Sequence, residues 1–159
     1  MGVTISGMTG AGSIRHNNRS FSAANVDRSR TEQNIVFCSE DLKQVYHMVF
    51  DEALAAYNAK KTKTRDKIPD YYEHIRQSKQ EKLFHEAIFQ IGNMSDCGCG
   101  TPDGERAAAA LKDFAESFAE RNPHLRVFNM VLHMDEATPH LHVDFIPVAT
   151  EQSRGLSTR

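Results

Sequence analysis

The sequence predicts an α+β domain, an antiparallel sheet covered by helices, and three observations carry that expectation. From Asp41 to about Arg65 apolar residues recur at three-and-four spacing, the signature of a helix with one buried face. Residues 104–121 (GERAAAALKDFAESFAER) repeat the pattern. Two apolar runs, residues 125–133 (LRVFNMVLH) and 140–148 (HLHVDFIPV), are joined by MDEATP, the layout of a β-hairpin with a slightly long connection. Strands and helices in such blocks favour a sheet with helices layered on it. The composition fits one domain: 159 residues, 40% hydrophobic and 25% charged, with 9 Gly and 5 Pro, which excludes disordered, collagenous and disulfide-scaffold chains.

Taken in order, residues 3–8 (VTISGM) read as a first strand, and a Gly-, Ser- and Asn-rich loop follows to about residue 33. A loop that long inside a compact domain is usually functional. Residues 34–38 (NIVFC) form a second strand, and Ser39, Glu40 and Asp41 open the first long helix, in keeping with N-terminal preferences. Its core face is Leu42, Val45, Tyr46, Val49, Phe50, Ala53, Leu54 and Tyr57, and its last turns are Lys-rich, which suits the negative helix end. Pro69 breaks the pattern, residues 70–82 read as polar helix, and 83–91 fit either a helix end or a strand. Residues 92–105 are turn-rich. The second long helix presents Ala108, Leu111, Phe114, Ala115 and Phe118, and Asn122-Pro123 stops it. After Val148 the polar stretch ATEQSRGLSTR has no closing element, so the reading is of one domain, 1–159, cut short at its C-terminal end.

The net charge of -2 gives no chain-wide positive field, but the charge is uneven. Residues 1–34 hold Arg15, Arg19, Arg28 and Arg30 against Asp27 and Glu32, and residues 58–82 are also basic, which permits a phosphate-binding face. Cys38, Cys97 and Cys99 are too few and too unevenly spaced for an oxidised framework. No signal-like segment or membrane-length apolar run is present, so a cytoplasmic location is expected.

The densest chemistry lies in HMDEATPHLH, residues 133–142. Alternate residues of a strand share a face, so His140 and His142 point the same way, and a hairpin sets His133 roughly opposite His140. Asp135 and Glu136 in the connection offer extra or supporting ligands. Three neutral imidazoles with open positions suit Mn²⁺, Zn²⁺, Co²⁺ or Ni²⁺, and with water and phosphate oxygens Mg²⁺ as well. Taken singly, each histidine reads as a partly exposed polar residue on a hairpin. Three histidines with two carboxylates inside ten residues read as a metal site.

A second constellation, RHNNRSF at 15–21, sets His16 and Asn17 between Arg15 and Arg19, a nucleophile or base beside guanidiniums that match phosphate oxygens. The same residues fit a solvated polar loop. Arg28 and Arg30 either hold a nucleic-acid backbone or pair with Asp27 and Glu32. The run KKTKTRDK (60–67) reads as a wet helix end, Tyr46 and Tyr57 as core, and Cys97-Gly98-Cys99 as a flexible turn with free thiols rather than a zinc site.

The early HNxR loop paired with the late HxDExTPHxH hairpin resembles the Mob/Pre (MobV-type) family of plasmid mobilization relaxases, or plasmid recombination enzymes, within the HUH endonucleases. His140-Leu141-His142 matches the His-hydrophobic-His element, and the likeness extends through Arg30–Asn34 to the LSTR ending. The resemblance implies a relaxase palm-like sheet and a metal-dependent nick of one DNA strand at an origin of transfer, leaving the 5′ phosphate on the enzyme. It implies His133, His140 and His142 as ligands of a divalent ion, Mn²⁺ first. Glu136 is then beside the ion, His16 the nucleophile, and Arg19 a clamp on the scissile phosphate. Arg15, Asn17, Arg28 and Arg30 would contact single-stranded or supercoiled DNA, with conjugation machinery as a further partner. Two other classes remain open from the residues alone: a metal-dependent phosphoesterase without a covalent intermediate, and a DNA-binding module with a structural metal.

Overall fold

The computed structural model describes residues 3–21 and 23–149. Five strands, β1 (Ile5–Thr9), β2 (Ile35–Ser39), β3 (His85–Ile91), β4 (Leu125–His133) and β5 (His140–Pro147), form one sheet in the order β1-β3-β5-β4-β2. Every neighbouring pair is antiparallel, as the sequence predicts. The hairpin pair β4 and β5 forms the middle of the sheet, so both strands are paired on each side. The polar tail expected to lack a closing element falls, from residue 150, outside the described residues.

The helices are α1 (Ile14–Asn17), α2 (Leu42–Ala59), α3 (Tyr71–Arg76), α4 (Met94–Cys97), α5 (Pro102–Glu116) and α6 (Phe118–Arg121). Asp41 caps α2 by accepting the Gln44 amide. The helix stops at Ala59 rather than near Arg65, because the Asn58 side chain exchanges two hydrogen bonds with the Ile68 backbone and turns residues 60–67 back. The stretch expected to be helical over 70–82 keeps helix only over α3, since the Ser78 hydroxyl accepts the Gln80 and Glu81 amides in a turn. Residues 83–91 resolve to strand β3. The turn-rich 92–105 contains α4, closed by an Asn93–Asp96 capping box. The second long helix breaks at Ser117, whose hydroxyl donates to the Asp113 and Phe114 carbonyls, a local competition that bends helices.

Strand alternation sorts the core into two clusters. Leu141 and Val143 of β5, with Val127, Met130 and Leu132 of β4, pack against Leu111, Ala115 and Phe118 of α5 and α6. On the other face, Ile146 and Phe128 pack against Val45, Tyr46, Phe50 and Leu54 of α2 and Tyr71 and Ile75 of α3. Ala53, expected in the α2 core face, is exposed. A register shift between Val127 and Asn129 inserts Phe128 into β4, and this bulge lets Val127 and Met130 share the α5 face while Phe128 joins the opposite cluster. The α2–α3 layer covers only the Ile146 end of its face. His140, His142 and Asp144, on the same face of β5 by alternation, occupy the rest.

Candidate active site

The hairpin register pairs His133 with His140, and His142 follows two residues on along the same face. One ring nitrogen from each of the three lies within 4.8 Å of the others, and all three residues are buried. The outer nitrogens are committed. His133 Nε2 donates to the Asn17 carbonyl at 2.8 Å, His140 Nδ1 to the Thr138 carbonyl at 2.8 Å, and His142 Nδ1 to Glu86 Oε1 at 2.6 Å. Because carbonyls and carboxylates only accept, these contacts set the tautomers and leave His133 Nδ1, His140 Nε2 and His142 Nε2 as lone pairs. His133 Nδ1 and His140 Nε2 stand 3.3 Å apart, and buried His142 Nε2 has no hydrogen-bond partner. Burial, partly offset by the Asn17 carbonyl, pushes the His133 pKa down to about 3. Burial also lowers that of His140. Neutral, converging imidazoles are the donor set that a divalent transition ion requires.

Glu86 supports this set from β3. Its Oε1 accepts from His142 Nδ1 and Asn17 Nδ2, and its Oε2 accepts the Gly12 amide. Burial raises the Glu86 carboxyl, but these donors outweigh it and hold the pKa at about 2. A Cβ on Gly10 would run into the Glu86 carboxylate, and Gly12 has φ +73°, so the turn after β1 needs glycine at both places. Asn17 also donates to Asp144, which accepts from Asn129 as well. Asp144 is fully buried, and burial raises its pKa.

Above the histidines, α1 presents His16. Its ring centroid is 6.0 Å from that of His133 and 6.2 Å from that of His142. His16 Nε2 lies 3.5 Å from Glu136 Oε1 and 3.3 Å from Arg19 Nη1. Arginine only donates, so this contact points a hydrogen at the Nε2 lone pair. Arg19, with φ 55°, forks both oxygens of Asp135 at 2.9 and 2.6 Å and reaches Glu136 Oε1 at 2.8 Å. Glu136 Oε1 is 3.9 Å from His133 Nδ1, and its Oε2 is 3.8 Å from His140 Nε2. His16, His133 and Glu136 form a second group with convergent ligand atoms. Residues 25–34 clamp the β4–β5 connection: Asn34 accepts the Met134 amide and donates to Asp135, and the Asp27 amide donates to the Asp135 carbonyl.

Residues 13–158 match the plasmid recombination enzyme family. The chain belongs to that family. No curated protein matches it. Among solved structures it is similar to a Mn-bound MobM relaxase domain with plasmid pMV158 oriT DNA (22nt) at pH 5.5, at 21% identity, covering 94% of this chain and 72% of that one with a TM-score of 0.49. A Mn-bound structure of the same domain with 22nt oriT DNA at pH 4.6 gives 19%, 96%, 74% and 0.45.

Several side chains of this family member sit differently from the sequence-based expectation. Asn17, expected at DNA, is 1% exposed and holds Glu86, Asp144 and His133 instead. Arg19, expected as a phosphate clamp, has a side chain only 9% exposed, with its guanidinium engaged by Asp135 and Glu136. Asp135, expected as a ligand or its support, is fully buried and turned to Arg19, Thr31 and Asn34, contacts that pull its pKa down against the cost of burial. Arg30 donates to the Glu136 carbonyl and lies 3.1 Å from Asp27, the internal pairing that the sequence left open. Arg15 and Arg28 are exposed. Tyr46 is buried and donates to the Leu83 carbonyl, and burial raises its pKa. Cys97 is buried in α4 rather than in a flexible turn, and among the described residues no cysteine joins a metal-ligand group. Glu86, Asn129 and Asp144 carried no motif and were missed. The alternation Glu86, Ile88, Gln90 on β3 would have pointed to Glu86 only once β3 was known to pair with β5.

Proposed function

We propose that this chain is a metal-dependent relaxase domain, acting in the cytoplasm, that nicks and rejoins one DNA strand at an origin of transfer through a covalent 5′-phosphate intermediate on His16. The observation that carries the reading is the set of three buried imidazole lone pairs, all outer N–H groups already committed, directly beside the His16 ring. Family membership supports it. So do the Mn ion and oriT DNA named for the similar MobM structures, as to cofactor and partner.

His133, His140 and His142 would hold the ion, Mn²⁺ first, and the orphaned His142 Nε2 is the clearest sign of fit. The chemistry a divalent ion supplies when bound there is polarisation of a non-bridging phosphate oxygen. Glu136, between His16 and the metal ligands, orients the imidazole and its surroundings. Arg19 keeps His16 Nε2 as a lone pair and offsets the charges of Asp135 and Glu136. In the nicking step a bond forms from His16 Nε2 to phosphorus and the bond from phosphorus to the 3′ oxygen breaks. The imidazole gives up its Nδ1 proton, and the leaving 3′ oxygen takes one up. The phosphoramidate retains the bond energy for reversal by a 3′ hydroxyl, which is what rejoining needs. Exposed Arg15 and Arg28 are free to meet phosphates.

The test uses labelled single-stranded oligonucleotides tiling the origin region of the element that carries this gene, incubated with Mn²⁺ and resolved on a denaturing gel. A protease-sensitive shifted band that EDTA suppresses and His16→Ala abolishes is the expected result. Cleavage without any shifted band would replace the relaxase by a phosphoesterase using His16 as base. Metal-dependent stability and binding without cleavage would replace it by a binding module.

A further inference from the structure

Next to His16 the chain leaves one aromatic ring uncovered. Phe21 is 45% exposed, and the other large exposed apolar side chains of the described residues are aliphatic or methionine. Its ring centroid is 5.9 Å from that of His16, tilted by 54°. The Arg15 guanidinium carbon stands 5.9 Å from the same centroid. Arg15 enters no ion pair among the described residues, unlike Arg19 and Arg30. A phenylalanine held at such exposure loses the benefit of burial that Phe50 on α2 obtains. Its position, one ring away from the attacking nitrogen, lies within a nucleotide's length of any phosphate that reaches His16.

We propose that Phe21 and Arg15 form a nucleotide subsite beside the nicking centre, in which Phe21 stacks on the base adjoining the scissile phosphate and Arg15 pairs with the next phosphate. The inference rests on the relaxase reading and names how the strand is seated. Every base has a π-face, so an aromatic platform accepts any base, and stacking fixes where the backbone lies. A free guanidinium above the same ring supplies the charge that the adjoining phosphate needs. Together they hold the sugar-phosphate chain taut across His16, whose own neighbours, Arg19 and Glu136, are turned inward.

The chain contains no tryptophan, so Phe21→Trp installs a single fluorescent reporter at the subsite. The probes are a short oligodeoxythymidylate and an abasic oligonucleotide of equal length and charge, both with EDTA present so that no strand is cut. Binding is read independently by anisotropy of the labelled probe. The expected result is quenching of the tryptophan by the thymidylate and not by the abasic strand. Phe21→Ala should weaken thymidylate binding about tenfold, within the range that one stacked base contributes. Phe21→Trp should restore binding, Phe21→Leu should not, and all four proteins should bind the abasic strand alike. Retained thymidylate binding with a silent reporter, or a Phe21→Leu variant equal to wild type, would overturn the platform and leave the relaxase reading standing. Failure of the wild-type protein to bind either strand would also overturn the platform, whereas the relaxase reading stands or falls with the origin oligonucleotides and Mn²⁺.

Discussion

At Glu86 one carboxylate ties the turn after β1, the helix α1 and the strand β5 together through Gly12, Asn17 and His142. Glu86→Ala removes the acceptor that fixes the His142 tautomer, and supporting partners of this kind are worth about 10–100-fold in metal affinity. Calorimetric titration with Mn²⁺ should show a loss of that size, and an unchanged affinity would remove Glu86 from the site. Acidity gives a second prediction at this scale. His133 has an ordinary pKa of 6.5 and a folded value of about 3, so between the two the unfolded chain binds more protons. Its contribution to stability is present above 6.5 and is lost as pH falls toward 3. Glu86 acts in the same direction between 4.5 and about 2. The metal-free protein should therefore melt at steadily lower temperature below about pH 6.5, and His133→Asn should flatten the upper part of that curve. A midpoint that does not move between about pH 7 and pH 5 would contradict the buried neutral histidine. The sequence singled out His133 here but not Glu86, because a lone glutamate in LFHEAIFQI carries no spacing signal until its strand partner is known.

Among the elements, the turn between β1 and α1 and the connection between β4 and β5 decide whether the site closes. Gly10→Ala forces a Cβ onto the Glu86 carboxylate, so it should lower Mn²⁺ affinity much as Glu86→Ala does while leaving α2 and α5 untouched. Matching titrations for the two variants check this, and a wild-type affinity in Gly10→Ala would show that the turn gives way. On the other side, Asn34 holds the Met134 amide and Asp135 together. Asn34→Ala leaves a part-buried amide without its acceptor and should cost about 1–3 kcal/mol, read by denaturant unfolding. It should also reduce the yield of covalent adduct, because Glu136 rides on the same connection. The hairpin itself was legible: the spacing from His133 to His140 set the register that the structure adopts. The short helix Ile14–Asn17 was not, because a single turn has too few residues to show periodicity and depends on tertiary contacts to persist.

Across the molecule the two faces of the sheet have separate jobs. The face against α5 and α6 is apolar along its length, while the opposite face is apolar only beneath α2 and α3 and polar around the histidines. Leu111→Ala, at a fully buried position of the first cluster, should cost about 2–5 kcal/mol and leave Mn²⁺ stoichiometry unchanged in the protein that remains folded. Tyr46→Phe removes the hydroxyl that bonds the Leu83 carbonyl and should cost about 1 kcal/mol without loss of adduct, whereas a tyrosine nucleophile would make it inactive. The described residues contain no helix long and apolar enough to cross a membrane.

The helix faces, the hairpin and the gathering of three histidines are legible from the residues alone, because they follow from periods of about four and two residues that act over short separations. So is the family, through two short motifs. Tertiary packing sets which polar groups converge with open lone pairs, which pair with one another and which stay exposed to solvent. Asn17 meets Glu86 across 69 residues and Asp144 across 127, and Arg19 meets Asp135 across 116. A motif read along the chain treats Asn17, Arg19 and Arg15 as equals. Burial separates them: a polar side chain taken out of water must be paired inside, so Asn17 and Arg19 became parts of the scaffold, and Arg15 stayed free.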